Sequence, residues 1–263
     1  MIYFSHLMED KEALKLLNED LGIETIEFAI GSNLNSMDER AEKYVKTLSL
    51  AERNPAGKIN LHGPFLDLNP ASYDDSIAKV SRNRYEECYR AAMKIKGNRI
   101  IFHSCFIPSV YFIEGWAPRM ADFWNSFLED KQDIQISMEN LLEEEIYPMR
   151  DVWEKVDAEN FSLCLDTGHA HCYSKHSVEE WVRELNCSIG HLHLHDNLGL
   201  KDEHAPLGEG NINWDKVIHM LYDLELFSFT LEHTYAEQVA KSLAFLKKNY
   251  REYYDKCFEE NSI

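Results

Sequence analysis

The chain is poor in glycine and proline, with 11 and 7 among 263 residues. No Pro/Gly-rich or low-complexity stretch marks a linker, so a single domain over residues 1–263 is expected. No run of eighteen apolar residues occurs, and the N-terminus MIYFSHLMEDKE lacks a basic flank followed by an apolar segment. Neither a membrane span nor a secretory signal is therefore expected. Positive charge is scarce. Lys and Arg number 27 against 46 Asp and Glu, a formal charge of −19. A broad basic footprint for nucleic acid is absent. The six cysteines (88, 105, 164, 172, 187, 257) include no CxxC pair, which excludes a thiolate zinc knot and fits a reducing cytoplasm.

Twelve histidines stand out against these shortages, and most fall at the ends of short apolar runs. Runs of strand length lie at Ile2–Ser5, Thr25–Ile30, Lys58–His62, Arg99–His103, Ile134–Glu139, Phe161–Asp166, Ile189–Asp196 and Phe227–Glu232. Between them come helical stripes such as Tyr85, Cys88, Ala92, Ile95 and Val239, Leu243, Leu246, Tyr250. Capping boxes are read at Ser36/Glu39, Ser177/Glu180 and Thr234/Glu237. This alternation predicts an α/β fold, a single (β/α)8 TIM barrel. A doubly wound sheet would open on a glycine-rich turn, and none follows Ile2–Ser5. Two strands alternate large apolar with small polar residues. Phe161, Leu163 and Leu165 oppose Ser162, Cys164 and Asp166, and Phe227, Phe229 and Leu231 oppose Ser228, Thr230 and Glu232. A helix-covered outer wall and a polar lumen require that pattern.

Strands three to eight each finish in a side chain able to bind metal: His62, His103, Glu139, Asp166 with His169, His193 and Glu232. A barrel brings C-terminal strand ends to one mouth, and crowded carboxylates there repel unless cations hold them. Imidazole with carboxylate suits Zn²⁺ or Mn²⁺ better than Ca²⁺. On strand seven His191, His193 and His195 share a face. His191 is read as a hydrogen-bonded core residue one layer down; His195, at the rim, either supports a ligand or touches the substrate. His171 and His176 are placed in loops and His219 on a helix, while His233 points away from Glu232 and is set aside as a ligand. His6 lies within reach of the mouth but has no evident partner. In the loop after strand seven, Asp202 and His204 are spaced to share an ion, and the Gly208/Gly210 turn offers N–H groups to an anion. Phe65, with Tyr111, Phe112 and Trp116, is expected to wall a small-ligand pocket, and Lys201 is the nearest cation.

The stretches LDTGHA, HLHLHDN and DEHAPLGEGNINW resemble the xylose-isomerase-like TIM barrel superfamily, which unites sugar-phosphate isomerases and epimerases with type IV apurinic/apyrimidinic endonucleases. In the isomerase and epimerase branch the resemblance implies one metal on Glu139, Asp166, His193 and Glu232, with His169 on substrate oxygens. In the endonuclease branch it implies three zinc ions, the first on His62, His103 and Glu139. The second takes Glu139, Asp166, His193 and Glu232, and the third His169, Asp202 and His204. The arginine that epimerases carry shortly after the strand-seven histidine is missing from Asp196-Asn197-Leu198-Gly199-Leu200. Phosphate-gripping cations are sparse too: Asp67, Asp74, Asp75, Glu114 and Glu143–Glu145 surround Arg119, Lys175 and Lys201. The expectation is a metal-dependent isomerase or epimerase of a sugar or sugar phosphate, working through an enediolate-like intermediate with Glu139 and Glu232 as acid and base. The alternative is a zinc-dependent phosphoester hydrolase. One to three ions per chain, no nucleic-acid or membrane partner and an open question of homo-oligomerisation complete the expectation.

Overall fold

A computed structural model describes residues 1–29, 37–50 and 58–259. Eight parallel strands pair in sequence order and close into a barrel, β8 returning to β1. The strands are β1 (Ile2–Ser5), β2 (Gly22–Thr25), β3 (Ile59–His62), β4 (Arg99–His103), β5 (Gln135–Glu139), β6 (Phe161–Asp166), β7 (Ile189–Leu194) and β8 (Phe229–Leu231). The helices among the described residues are α1 (Asp10–Asn18), α2 (Met37–Leu48), α3 (Asp75–Ile95), α4 (Ile113–Leu128), α5 (Tyr147–Trp153), α6 (Thr167–Tyr173), α7 (Val178–Leu185), α8 (Trp214–Asp223), α9 (Ala236–Asn249) and α10 (Arg251–Glu259). Among the described residues no helix is long and apolar enough to cross a membrane.

Several expectations move, most of them strand ends by one or two residues. The second strand ends where Thr25–Ile30 was expected to begin, because Gly22-Ile23-Glu24-Thr25 makes the ladder with β1 and β3; Ile30 lies outside the described residues. The capping box at Ser177/Glu180 opens α7, whereas at α9 the backbone N–H of Tyr235 donates to Gln238, one residue beyond the expected Thr234/Glu237 pair. Ser36 of the third box lies outside the described residues.

The apolar faces of the strands meet the helices in one continuous core. Tyr85, Phe102, Trp124 and Phe127 are buried within it, and the rings of Tyr85 and Phe102 stack 4.1 Å apart. Each such side chain stabilises the fold by about 1.5–3 kcal/mol. Trp116 belongs here too. It sits on α4 with no exposed surface, its ring 4.9 Å from that of Phe106, and so it is core rather than a pocket wall. Helix α4 starts at Ile113 and turns that face inward.

The lumen is polar. Between β6 and β7 the register shifts, so that Cys164 pairs with His191 and Asp166 with His193. Gly190 fills the shift; a Cβ there would lie 2.4 Å from Ser162 Oγ. Only glycine tolerates that approach. The shift brings Asp166 and His193 level at the mouth.

Candidate metal centre

His193 lies at the middle of the site, fully buried at the end of β7. Its Nδ1 is 3.0 Å from Glu139 Oε1, 3.1 Å from Glu232 Oε2 and 3.8 Å from Asp166 Oδ2. These four residues offer ligand atoms that lie within 4.8 Å of one another. The barrel assembles them from the ends of β5, β6, β7 and β8. Asp166 is additionally fixed as the N-cap of α6, its Oδ1 accepting from the His169 N–H at 2.7 Å, and Asn140 holds its backbone on both sides.

Glu139 joins this group to a second one. Its Oε2 faces His62 Nε2 at 3.5 Å and His103 Nε2 at 3.6 Å, while its Oε1 faces His193 and His169. Phe65 covers the pair, its ring 4.5 Å from His103 and 5.5 Å from His62. A third cluster forms where His169 Nε2 and His204 Nε2 approach Asp202 Oδ2 at 3.4 and 3.0 Å. His195 enters it unexpectedly deep. It is buried, its Nε2 is 3.1 Å from Asp166 Oδ1, and its ring stacks on His204 at 4.2 Å. Gly168 makes room for it, since a Cβ there would meet the ring at 1.9 Å.

Several histidines are oriented by a hydrogen bond from one ring nitrogen to the backbone. Nδ1–H donates to a backbone carbonyl in His62 (Gly63, 3.0 Å), His169 (Asn140, 3.0 Å) and His204 (Glu232, 2.9 Å). In the neutral, metal-binding form of the ring that bond fixes the tautomer and leaves the Nε2 lone pair free for a ligand. Among the described residues, five buried atoms at the mouth have no hydrogen-bond partner: Glu139 Oε2, Glu232 Oε2, His103 Nδ1, His195 Nδ1 and Asp202 Oδ1. Buried groups without partners are costly, and carboxylate oxygens among imidazole lone pairs form the donor set of Zn²⁺ or Mn²⁺. The residues fit such an ion.

The charges agree. Burial opposes ionisation of Glu139 and Glu232, yet the His193 imidazole beside each holds both well below the usual carboxylate range. Burial likewise opposes protonation of His193 and His169, but surrounding acids outweigh it and hold both well above an ordinary histidine. Burial is opposed in the same way by Asp202 at His204, which is raised to about 9. At His103 desolvation prevails and the ring falls to about 3.

Some expected participants are elsewhere. Lys201 is exposed and forms no ion pair among the described residues, so nothing places it on a ligand. The Gly208/Gly210 turn does face an anion, but an internal one: Asp196 accepts from Gly208 N at 2.9 Å, Ile212 N at 3.3 Å and Trp214 Nε1 at 2.7 Å. His6 is held by Tyr44 and Asp10. His171 sits on α6 rather than in a loop, and His233 is taken up by Ser242 and the His204 carbonyl. His191 is the buried, hydrogen-bonded residue expected, bound to Ser228 and Thr230. One participant was missed. Glu24 on β2 is buried with its oxygens 3.1 and 3.2 Å from His193 Nε2. A carboxylate inside the short run Gly22–Thr25 was the available signal, overlooked because the strand was placed further on.

The family model for xylose isomerase-like TIM barrels matches residues 17–249. Protein MJ1311 of Methanocaldococcus jannaschii is 26% identical across 97% of both chains. Among solved structures, a D-tagatose 3-epimerase-like protein superposes with a TM-score of 0.76 at 22% identity, covering 99% of each chain. The TTHB071 protein of Thermus thermophilus, soaked with ZnCl2, gives 0.75 at 23% identity, covering 95% of this chain and 98% of its own. At these identities the structural likeness is one of fold.

Proposed function

Because the chain belongs to the xylose isomerase-like TIM barrel family, we propose that it is a metal-dependent isomerase or epimerase of a sugar or sugar phosphate, with Zn²⁺ or Mn²⁺ held by Glu139, Asp166, His193 and Glu232. One observation carries the reading: these four side chains converge within 4.8 Å, and their carboxylates are delivered by different walls of the mouth. Bound there, the ion supplies positive charge to neighbouring carbonyl and hydroxyl oxygens and so acidifies the C–H between them. Glu139 and Glu232, held ionised beside His193, are the acid/base pair at that carbon: one carboxylate takes its proton, and a carboxyl group so protonated returns one to the enediolate-like carbon. His169, its ring fixed by the Asn140 carbonyl, presents Nε2 toward substrate oxygens. Phe65 walls the His62/His103 side. The epimerase-like structural neighbour supports a sugar as substrate.

Glu232→Gln tests the chemistry. The glutamine keeps the size and one oxygen but loses the base. At saturating metal it is expected to lose roughly 10²–10⁴ in turnover. Ketoses, aldoses and their phosphates are incubated in heavy water, and NMR follows deuterium at the carbon next to the carbonyl. Labelling by the metal-loaded variant at the wild-type rate overturns the assigned role.

A second reading, a zinc-dependent phosphoester hydrolase, is favoured by the ligand groups flanking the centre. His62, His103 and Glu139 form a close set of their own, and Asp202 adds a carboxylate between His169 and His204. Three divalent ions against Glu139, Asp166, Glu232 and Asp202 leave a net charge of about +2, suited to phosphate, whereas one ion against the first three leaves about −1. Elemental analysis separates the two. Duplex DNA is opposed by the rim, where Arg119 is spent on the Ala71 and Ser72 carbonyls and Lys175 on Glu144 and Glu145. No nicking of an abasic duplex is expected; efficient metal-dependent nicking promotes the hydrolase.

A further inference from the structure

We infer that Glu24 is a positioning residue for the metal centre, fixing through one buried hydrogen bond which nitrogen His193 presents to Glu139, Asp166 and Glu232. The inference rests on the four-residue centre proposed above but not on which reaction it serves.

The argument starts from donors and acceptors. An ionised carboxylate only accepts hydrogen bonds. Glu24 is buried, receives the Thr230 hydroxyl at 2.5 Å, and lies 3.1–3.2 Å from His193 Nε2. Thr230 donates its O–H to Glu24, and both Glu24 oxygens face His193 Nε2, so Glu24 is the acceptor of an Nε2–H from His193. With its proton spent on Glu24, Thr230 Oγ1 can only accept from His191 Nε2–H at 2.9 Å. His191 Nδ1 is then the acceptor for Ser228 Oγ–H at 3.0 Å. Every proton in the chain Ser228, His191, Thr230, Glu24, His193 has one place to go. Its last link puts the proton of neutral His193 on Nε2 and leaves the Nδ1 lone pair directed at the three acids of the centre.

The arrangement is the reverse of His62 and His204, where Nδ1 is tied to a backbone carbonyl and Nε2 faces the acids. For His193, β2 supplies a side chain instead. Glu24 with His191 and His193 could itself be taken for a cation site. Both His191 nitrogens are already occupied by hydroxyls, however, so that set lacks a free imidazole ligand.

The test uses the full-length, metal-stripped chain and Zn²⁺ as the probe, with affinity measured by competition against a chromogenic chelator. Glu24→Leu removes the acceptor and is expected to weaken Zn²⁺ binding about 10–100-fold. Glu24→Gln keeps an acceptor oxygen without the charge and should fall between that variant and wild type. Long-range ¹H–¹⁵N correlation on histidine-labelled wild type should show His193 protonated at Nε2 and ligated through Nδ1 when Zn²⁺ is bound. A merely structural Glu24 would lower the unfolding midpoint of the metal-free variants while leaving Zn²⁺ affinity within about two- to threefold of wild type, which overturns the inference. So does a wild-type spectrum with His193 ligated through Nε2, a result that stands even if neither variant folds. Wild type failing to bind Zn²⁺ overturns the metal centre and this inference together. Wild type binding Zn²⁺ with unaffected Glu24 variants overturns this inference alone.

Discussion

His191 and His193 stand two residues apart on one face of one strand, both fully buried, and their surroundings differ in one respect. His191 hydrogen-bonds to neutral hydroxyls, Ser228 and Thr230, with one acid, Glu24, 3.8 Å away and the Arg99 guanidinium opposing its charge. Burial first, and that cation second, push its pKa well below an ordinary histidine. His193, one layer higher, meets Glu24, Glu139, Asp166 and Glu232 and is pushed well above. The lower layer uses its histidine as a neutral strut. The upper layer surrounds the same side chain with acids whose charges need a cation. Identical residue type and identical burial therefore carry no function by themselves; the balance of neighbouring acids and cations decides.

The largest expected effect is the loss of the upper histidine. His193→Asn should abolish activity and weaken Zn²⁺ or Mn²⁺ binding by more than the roughly 100-fold upper range for a supporting group, read by chelator competition. Retention of affinity within a few-fold would remove His193 from the centre and erase the contrast.

Next comes pH. An ion on Glu139, Asp166, His193 and Glu232 must displace the proton that the apo site holds on His193, and ions in the flanking group would also displace those on His169 and, with a pKa of about 9, His204. Apparent metal affinity should rise with pH by about tenfold per unit for each proton displaced, continuing above pH 7. A flat profile between pH 6 and 8 would show those imidazoles to be neutral before the metal arrives.

The smallest effect belongs to the lower layer. His191→Leu leaves the Ser228 and Thr230 hydroxyls without their partner and should cost about 1–3 kcal/mol in denaturant unfolding, with metal affinity changed only a few-fold. Its acid behaviour sharpens the contrast. A histidine whose folded pKa is depressed contributes stability present above its unfolded value near 6.5 and lost as pH falls. His204, raised to about 9, contributes the opposite way in the metal-free chain, its share present below 6.5 and lost as pH climbs through 9. The variant should thus be less acid-sensitive than wild type while keeping the alkaline loss.

The barrel was legible because strand and helix periods alternate cleanly: β1, β4 and β6 occupy the predicted ranges, and the stripe Tyr85, Cys88, Ala92, Ile95 is buried on α3. The candidate ligands were legible because side chains at strand ends converge in any closed parallel barrel. Trp116 and Glu24 depart from the sequence expectation for separate reasons. The start of α4 turns Trp116 into the core, although an aromatic residue near the mouth suggests a wall. Local pattern places the second strand at Thr25–Ile30, beyond Glu24, and only lumen closure gives Glu24 a buried partner 169 residues away.

Sequence alone thus determined the alternation of elements, the inward faces of β6, β7 and β8 and the candidate ligands at the strand ends, since all three follow from local periodicity. Tertiary structure decided which nitrogen each histidine turns to the acids and which carboxylate stands behind His193. It also decided that Asp196, rather than a ligand, fills the glycine turn. Those outcomes depend on hydrogen bonds between strands and loops brought together by closing the barrel, where burial obliges every polar group to find a partner.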